Sequence, residues 1–257
     1  WVNYDGHRSL FESRSKNRMG LLMWMSHPCW PSMVWQTYDY YLEPTAAYFA
    51  IKKASEPLHI QWNPATDEVE VVNYSAGTHS HLTARVQILN MDASVAWEKE
   101  TTVDSREDTT EKCIKLEFPE TLSEVYFIKL WLLEDGKILS DNFYHASRKG
   151  INYQALKQLP EVTLDCQAKM AQDKEGNWTA TVTLTNPTST PALMTRINVV
   201  GDKDGDQFLP ILYEDNYFAL LPGEQKEVSV RWKDVDTRGN SPVIRITGYN
   251  VKELSRQ

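Results

Sequence analysis

The side chains best suited to chemistry crowd into residues 20–44, Gly20-Leu-Leu-Met-Trp-Met-Ser-His-Pro-Cys-Trp-Pro-Ser-Met-Val-Trp-Gln-Thr-Tyr-Asp-Tyr-Tyr-Leu-Glu-Pro44. Trp30, Trp35, Tyr38, Tyr40 and Tyr41 follow a polar break at Ser26-His27-Pro28. Flat aromatic faces stack on the apolar faces of sugar rings, and polar groups beside them take hydroxyls. The competing reading is that these aromatics are core, since large apolar side chains are usually buried. Asp39 and Glu43 sit among them. Cleavage of a glycosidic bond with retention needs two carboxyls flanking the bond, about 5–5.5 Å apart. Two residues from one loop and the start of its helix are poorly placed for that, and they read as structural salt links.

Elsewhere the candidates are weaker. His79 and His81 share a strand face at i, i+2 and could hold a metal, but spacing supplies no third ligand, and a polar loop edge explains them as well. Asp202-Lys-Asp-Gly-Asp206 suggests a calcium loop, yet the required Gly falls at Gln207 and the bidentate Glu at Tyr213, so it reads as a solvated turn. Asn73-Tyr-Ser75 and Asn177-Trp-Thr179 match the glycosylation sequon. No nucleophile elbow, phosphate loop or dinucleotide fingerprint is present. No metal site and no cofactor are assigned.

The elements that must position the aromatic stretch form a helix–strand–helix. Residues 3–17 carry Tyr4, Leu10 and Phe11 among Arg8, Glu12, Arg14 and Lys16, one apolar face on a charged helix. Leu21–Met25 is an apolar run suited to a strand buried on both faces. After the aromatics, Pro44 suits a first helical turn. Ala47, Ile51 and Ala54 then share a face, Lys52 and Lys53 suit the helix dipole, and Pro57 ends it. Helix, buried strand, loop, helix is the last segment of a (β/α)8 barrel. A whole barrel needs eight such strands and about 250 residues. Residues 1–55 are therefore expected to be the end of a barrel domain, and the chain, starting at Trp1, a piece of something longer.

From residue 56 the period changes to two. Leu58-His-Ile-Gln-Trp62 alternates; Leu82, Ala84, Val86 and Ile88 oppose Thr83, Arg85 and Gln87; Ile114, Leu116 and Phe118 oppose Lys115 and Glu117. Tyr126–Leu132 is apolar on both faces. Turn signals at Asn63-Pro64, Ser75-Ala-Gly77, Asn90-Met-Asp92 and Glu134-Asp-Gly136 separate roughly seven short strands, the pattern of an immunoglobulin-like sandwich over residues 56–150. It lacks the Cys–Trp–Cys signature of antibody domains. Residues 151–257 repeat the architecture: Trp178, Ala180, Val182 and Leu184 alternate with a threonine face, and strands follow at 194–200, 227–232 and 243–251. Leu221-Pro-Gly-Glu224 is a turn with Gly where φ is positive. The fold class is mainly β: two immunoglobulin-like sandwiches after a barrel fragment.

Composition narrows the function classes. Hydrophobic content of 41% and charge of 24% fit a folded globular chain. No apolar run approaches the roughly 20 residues of a membrane helix. A net charge of −8 argues against nucleic acid, and no basic stripe argues back. Cys29, Cys113 and Cys166 show neither metal nor disulfide spacing, and each reads as a small buried hydrophobe.

Trp24-Met25, Trp30-Pro31-Ser32, Trp35-Gln-Thr-Tyr-Asp-Tyr-Tyr-Leu42 and Ala47-Tyr48-Phe49 with Lys52-Lys53-Ala54 closely resemble the last barrel strand and helix of glycoside hydrolase family 2, in particular its exo-β-D-glucosaminidase and β-mannosidase-like members. Ser140-Asp-Asn-Phe-Tyr144 resembles the end of the sandwich after that barrel. Asp215-Asn-Tyr217, Leu221-Pro-Gly-Glu224 and Gly248-Tyr-Asn-Val251 resemble the C-terminal immunoglobulin-like domain of the same enzymes. The resemblance implies a retaining β-glycosidase acting on a β-linked glycan, with both catalytic glutamates upstream of Trp1, no catalytic residue here and a periplasmic or secreted setting. It implies that Trp24, His27 and Trp30 border the sugar subsite. Ser26-His-Pro-Cys29 stands where the glucosaminidase-like pattern carries asparagines, so the resemblance carries the family and not the amino sugar. The rival reading is a non-catalytic carbohydrate-binding or protein-docking module, with Trp97, Trp131 and Trp232 as platforms on the sheets.

Overall fold

The computed structural model describes residues 6–7, 21–32 and 36–257. Of the helix expected over residues 3–17 only Gly6 and His7 are described, and both are helical; the rest of it, and Trp35, lie outside the described residues. Leu21–Met25 forms no strand: Leu22 and Trp24 are fully or almost fully exposed. A strand buried on both faces requires neighbours on either side, and no described strand pairs with this one. The following helix, α1, is Ala46–Ala54. Thr45 caps it, its Oγ1 accepting from the N–H of Ala47 at 3.2 Å, so the helix starts just after Pro44. Its buried residues are Phe49 and Ala54; Ala47 and Ile51 are only half-buried.

The described residues fall into two units, one reaching Trp24 and resuming over Ala50–Gln158, the other comprising Met25–Phe49 and Leu159–Gln257. In the first, the described strands are β1 (Leu58–Asn63), β2 (Glu68–Asn73), β3 (His79–Asn90), β4 (Val95–Ser105), β5 (Thr109–Lys115), β6 (Val125–Glu134) and β7 (Lys137–Ser147). They form antiparallel sheets in the orders β1-β2-β5 and β4-β3-β6-β7. Ile60, Val69, Val71, Leu82, Val86, Ile88, Ile128 and Leu130 share one core between them. Leu116 lies in that core but beyond the end of β5, so the alternation read through Phe118 outlasts the strand itself.

Two strands depart from simple alternation. His59, Gln61 and Asn63, the face of β1 away from Ile60, are buried rather than solvated. Gln61 faces Glu70 in register and donates to its Oε2 at 2.8 Å, and Asn63 donates to Oε1 at 3.1 Å. Burial is tolerated because each carboxylate oxygen meets an amide. On β6 both faces are covered: Phe127 is inaccessible and stacks on Phe143 with centroids 5.3 Å apart, while buried Lys129 pairs with Asp141 at 2.5 Å.

In the second unit β8 (Asp165–Gln172), β9 (Asn177–Thr185), β10 (Ala192–Gly201), β11 (Leu212–Tyr213), β12 (Phe218–Leu220), β13 (Gln225–Lys233), β14 (Pro242–Thr247) and β15 (Leu254–Arg256) make antiparallel sheets ordered β12-β10-β14-β15 and β11-β13-β9-β8. The core contains Ala180, Val182, Leu184, Ile197, Val199, Val228, Val230, Trp232, Ile244 and Ile246. The threonine face of β9 stays half-exposed as expected, and Gly223 has φ +77° in the turn before β13. Tyr217 takes a left-handed φ of 57°, which ends the β10–β12 ladder. The buried Asn216 side chain continues it: Oδ1 accepts from the N–H of Ile197 at 2.8 Å and Nδ2 donates to its carbonyl at 2.9 Å.

Replacing Asn216 with Ala leaves both backbone groups of Ile197 unpaired in a buried place. The expected loss is about 1–3 kcal/mol, read from urea unfolding of this chain. His145 makes the pH case. It packs edge-on to Tyr153 at 5.0 Å, and burial pushes its imidazole down to about 4. Between that value and an unfolded pKa of about 6.5, only the unfolded chain takes the proton, so this contribution to stability falls with falling pH. On the order of 2–3 kcal/mol separates the two ends of that window. In pH-resolved denaturation, His145→Gln is expected to flatten the slope between pH 6.5 and 4.

Candidate functional site

Met25–Phe49 belongs to the second unit, and its polar atoms show how it is held there. The carbonyl of Ser26, the residue before His27, accepts from the N–H of Tyr38 at 2.9 Å and from Thr37 Oγ1 at 3.0 Å. Tyr38 pairs with Pro44 as an antiparallel bridge. Asp39 Oδ1 accepts from the N–H groups of Tyr41 and Glu43 at 2.8 and 2.9 Å, tying the turn between them. Glu43 in turn receives Arg196 of β10 as an ion pair, and Asn198 donates to the same Oε1 at 3.3 Å. The Arg196 guanidinium lies 5.8 Å from the centre of the Tyr217 ring.

Aromatic contacts run beside this polar route. Tyr38 meets Tyr48 at 5.4 Å, Tyr48 meets Phe49 at 5.1 Å, and Phe49 meets Tyr217 at 5.9 Å. Burial pushes the Tyr217 phenol up to about 12, so it stays a neutral group at ordinary pH. Tyr213 is pushed up for the same reason, and its hydroxyl accepts from the N–H of Val199 at 3.2 Å.

The three residues expected to border a sugar all lie in the irregular stretch 21–32. Trp24 is 87% exposed and Trp30 67%, so the reading of these aromatics as core fails for them, as it does for Tyr40 and Tyr41. His27 is exposed as well. Cys29 is an exposed free thiol, not the buried hydrophobe expected, whereas Cys166 is buried and burial pushes Cys113 up to about 12. Glu43 forms the ion pair expected of it, whereas Asp39 ties a turn through backbone N–H groups rather than the salt link expected.

The other candidates resolve into structure. His79 bonds Glu134 at 2.8 Å and the Ala76 carbonyl at 3.0 Å, and a register shift between His79 and Leu82 breaks its i, i+2 relation to His81. Asp202 and Asp204 accept from the N–H groups of Ser241 and Asp206 in an exposed turn. Asn73 is buried and donates to the Gly77 carbonyl at 2.7 Å, while Asn177 is exposed. Trp232 is core, stacked on Trp178; Trp97 packs against the first core, and Trp131 is half-buried beneath Arg85. None of the three offers a bare platform.

The motifs that carried the resemblance are joints. Ser140 Oγ donates to Glu56 at 2.8 Å, Asn142 to the carbonyl of Ile60 at 3.3 Å, and Tyr144 accepts from the N–H of Trp62 at 3.0 Å, pinning β7 to β1 and to Glu56 before it. Gly248 lies where a Cβ would come within 3.0 Å of the Leu193 carbonyl, and Asn250 donates to the carbonyls of Pro160 and Pro191. Sequence reasoning missed Arg196. Its signal was a lone cation in an apolar strand, but its partner lies 153 residues away.

Residues 142–251 match the exo-β-D-glucosaminidase Ig-fold domain. The chain is 32% identical to an exo-β-D-glucosaminidase of Streptomyces avermitilis, over 98% of this chain and 31% of that protein. The crystal structure of an exo-chitosanase from Amycolatopsis orientalis superposes with a TM-score of 0.88 at 28% identity, covering 99% of this chain and 33% of that one. The chain is homologous to the C-terminal part of family 2 glycoside hydrolases. A mannosylglycoprotein endo-β-mannosidase of Lilium longiflorum is also similar, 24% identical over 98% of this chain and 33% of its own length. The chain thus spans about a third of the length of the curated relatives it matches.

Exposure of Trp24 and Trp30 gives a direct check. In this chain the double variant W24F/W30F is expected to lose much of the acrylamide-quenchable fluorescence while changing stability by no more than about 0.5 kcal/mol. A loss of several kcal/mol would mean these rings are packed.

Proposed function

We propose that this chain is the C-terminal region of a retaining β-glycosidase and that it lends one edge of the sugar subsite. The observation that carries the reading is the match of nearly the whole chain to a third of enzymes described as exo-β-D-glucosaminidases. In this reading Trp24 and Trp30 stack on the apolar faces of a sugar ring, and His27 exchanges hydrogen bonds with a hydroxyl. The acid and the nucleophile are two glutamates on barrel strands preceding Trp1. The carboxylates near the aromatic stretch do not take their place: Glu43 is engaged by a guanidinium and an amide, and Asp39 by two backbone N–H groups. The two sandwiches buttress the barrel, and the glycan and the preceding domains are the partners. Relatives acting on glucosamine and on mannose units leave a β-linked hexoside as the substrate class. A periplasmic or secreted setting goes with such a substrate.

The test compares this chain with a longer polypeptide that adds the preceding barrel. On aryl β-D-glucosaminides and β-D-mannosides, the longer protein is expected to turn over and this chain alone to show no activity above buffer. Turnover by the purified chain alone would overturn the reading.

A further inference from the structure

We propose that Arg196, on the second sandwich, is a positioning residue for the sugar-facing stretch around His27 and Trp30, so that the sandwich sets substrate affinity as well as supporting the fold. The proposal rests on the functional reading above and adds a residue that no motif marks.

Every link from Arg196 to His27 lies in the second unit. Arg196 and Asn198 are two residues apart on β10, on one face of the strand, and both reach Glu43 Oε1. Glu43 and Asp39 close a turn in both directions: the Glu43 N–H donates to Asp39 Oδ1 at 2.9 Å, and the Asp39 N–H donates to the Glu43 carbonyl at 3.0 Å. Tyr38, next in line, donates its N–H to Ser26, and Ser26 precedes His27. Among the described residues of this route, the one regular backbone pairing before α1 is the bridge of Tyr38 to Pro44. The ion pair therefore supplies what secondary structure does not. The contact runs from one guanidinium nitrogen, Nη2, to Glu43 Oε1, and the Asn198 amide meets the same oxygen, so the carboxylate is held by two side chains of one strand face. Arg196 is also held on its other side, by the Tyr217 ring, and Tyr217 in turn contacts Phe49 at the foot of the stretch. The anchor thus grips both ends of residues 43–49.

The experiment uses the longer, catalytically competent polypeptide and reads kcat and KM on an aryl β-glycoside for wild type, Arg196→Met, Arg196→Lys and the exchange pair Glu43→Arg with Arg196→Glu. The expected result is a KM raised about tenfold or more in Arg196→Met with kcat within about threefold, a smaller rise in Arg196→Lys, and partial recovery in the exchange pair. The same substitutions in the present chain are expected to speed proteolytic cleavage within residues 25–44 without lowering the unfolding midpoint of the sandwich in proportion. If wild type turns over and Arg196→Met keeps its KM, or if kcat and KM collapse together with the fold and the exchange pair restores neither, the positioning role is overturned. An inactive wild-type enzyme would instead count against the glycosidase reading, while unchanged cleavage within residues 25–44 would overturn the anchor by itself.

Discussion

Each unit depends on a simple constraint: a sheet with one apolar face must cover it, and here each covers it with a second sheet. Ile60, Val71, Val86 and Ile128 satisfy that requirement in the first unit, and Val182, Ile197, Val230 and Ile244 in the second. Everything polar is arranged around those layers. Where the outward face is also buried, a carboxylate from the neighbouring strand supplies the partners of Gln61 and Asn63, and His59 bonds the Glu56 carbonyl and Gln61. Where a ladder runs out, an asparagine side chain carries it further.

The aromatic stretch obeys a different rule. Among its described residues, 25–32 and 36–45, the one ladder contact is the bridge of Tyr38 to Pro44, and the few buried side chains include Pro28 and Pro44. Their order comes from directed bonds: a capped turn at Asp39, a carbonyl shared at Ser26, and one charge pair to β10. The large rings of Trp24, Trp30 and Tyr41 are left exposed. Two sheets provide the layered core of the second unit, and a short run of irregular chain is fixed to one of them through Glu43.

Much of this was legible in the residues. Alternation at 82–88 and 178–184 located strands because half-buried sheets have a period of two, and Leu221-Pro-Gly-Glu224 located a turn because Gly223 needs its positive φ. Other features were not. Leu21–Met25 has the composition of a buried strand, but burial is a property of neighbours, and among the described residues it has none. His79 and His81 looked like a pair until a bulge, invisible in composition, separated them. The role of Glu43 was half legible: a carboxylate beside aromatics suggests a salt link, but nothing local identifies Arg196 as its partner.

The asparagines that stitch the second unit have a consequence for its lifetime. Asn186, Asn216 and Asn250 are buried, and each donates through nitrogen and accepts through oxygen, to backbone groups on both sides for Asn216 and Asn250. Hydrolysis of any one amide to a carboxylate would set two acceptors facing each other where a donor had been. Chemical ageing would then act at strand ends before it reached the apolar layers. The durability of this unit is bounded by the integrity of three amide groups as much as by its hydrocarbon interior.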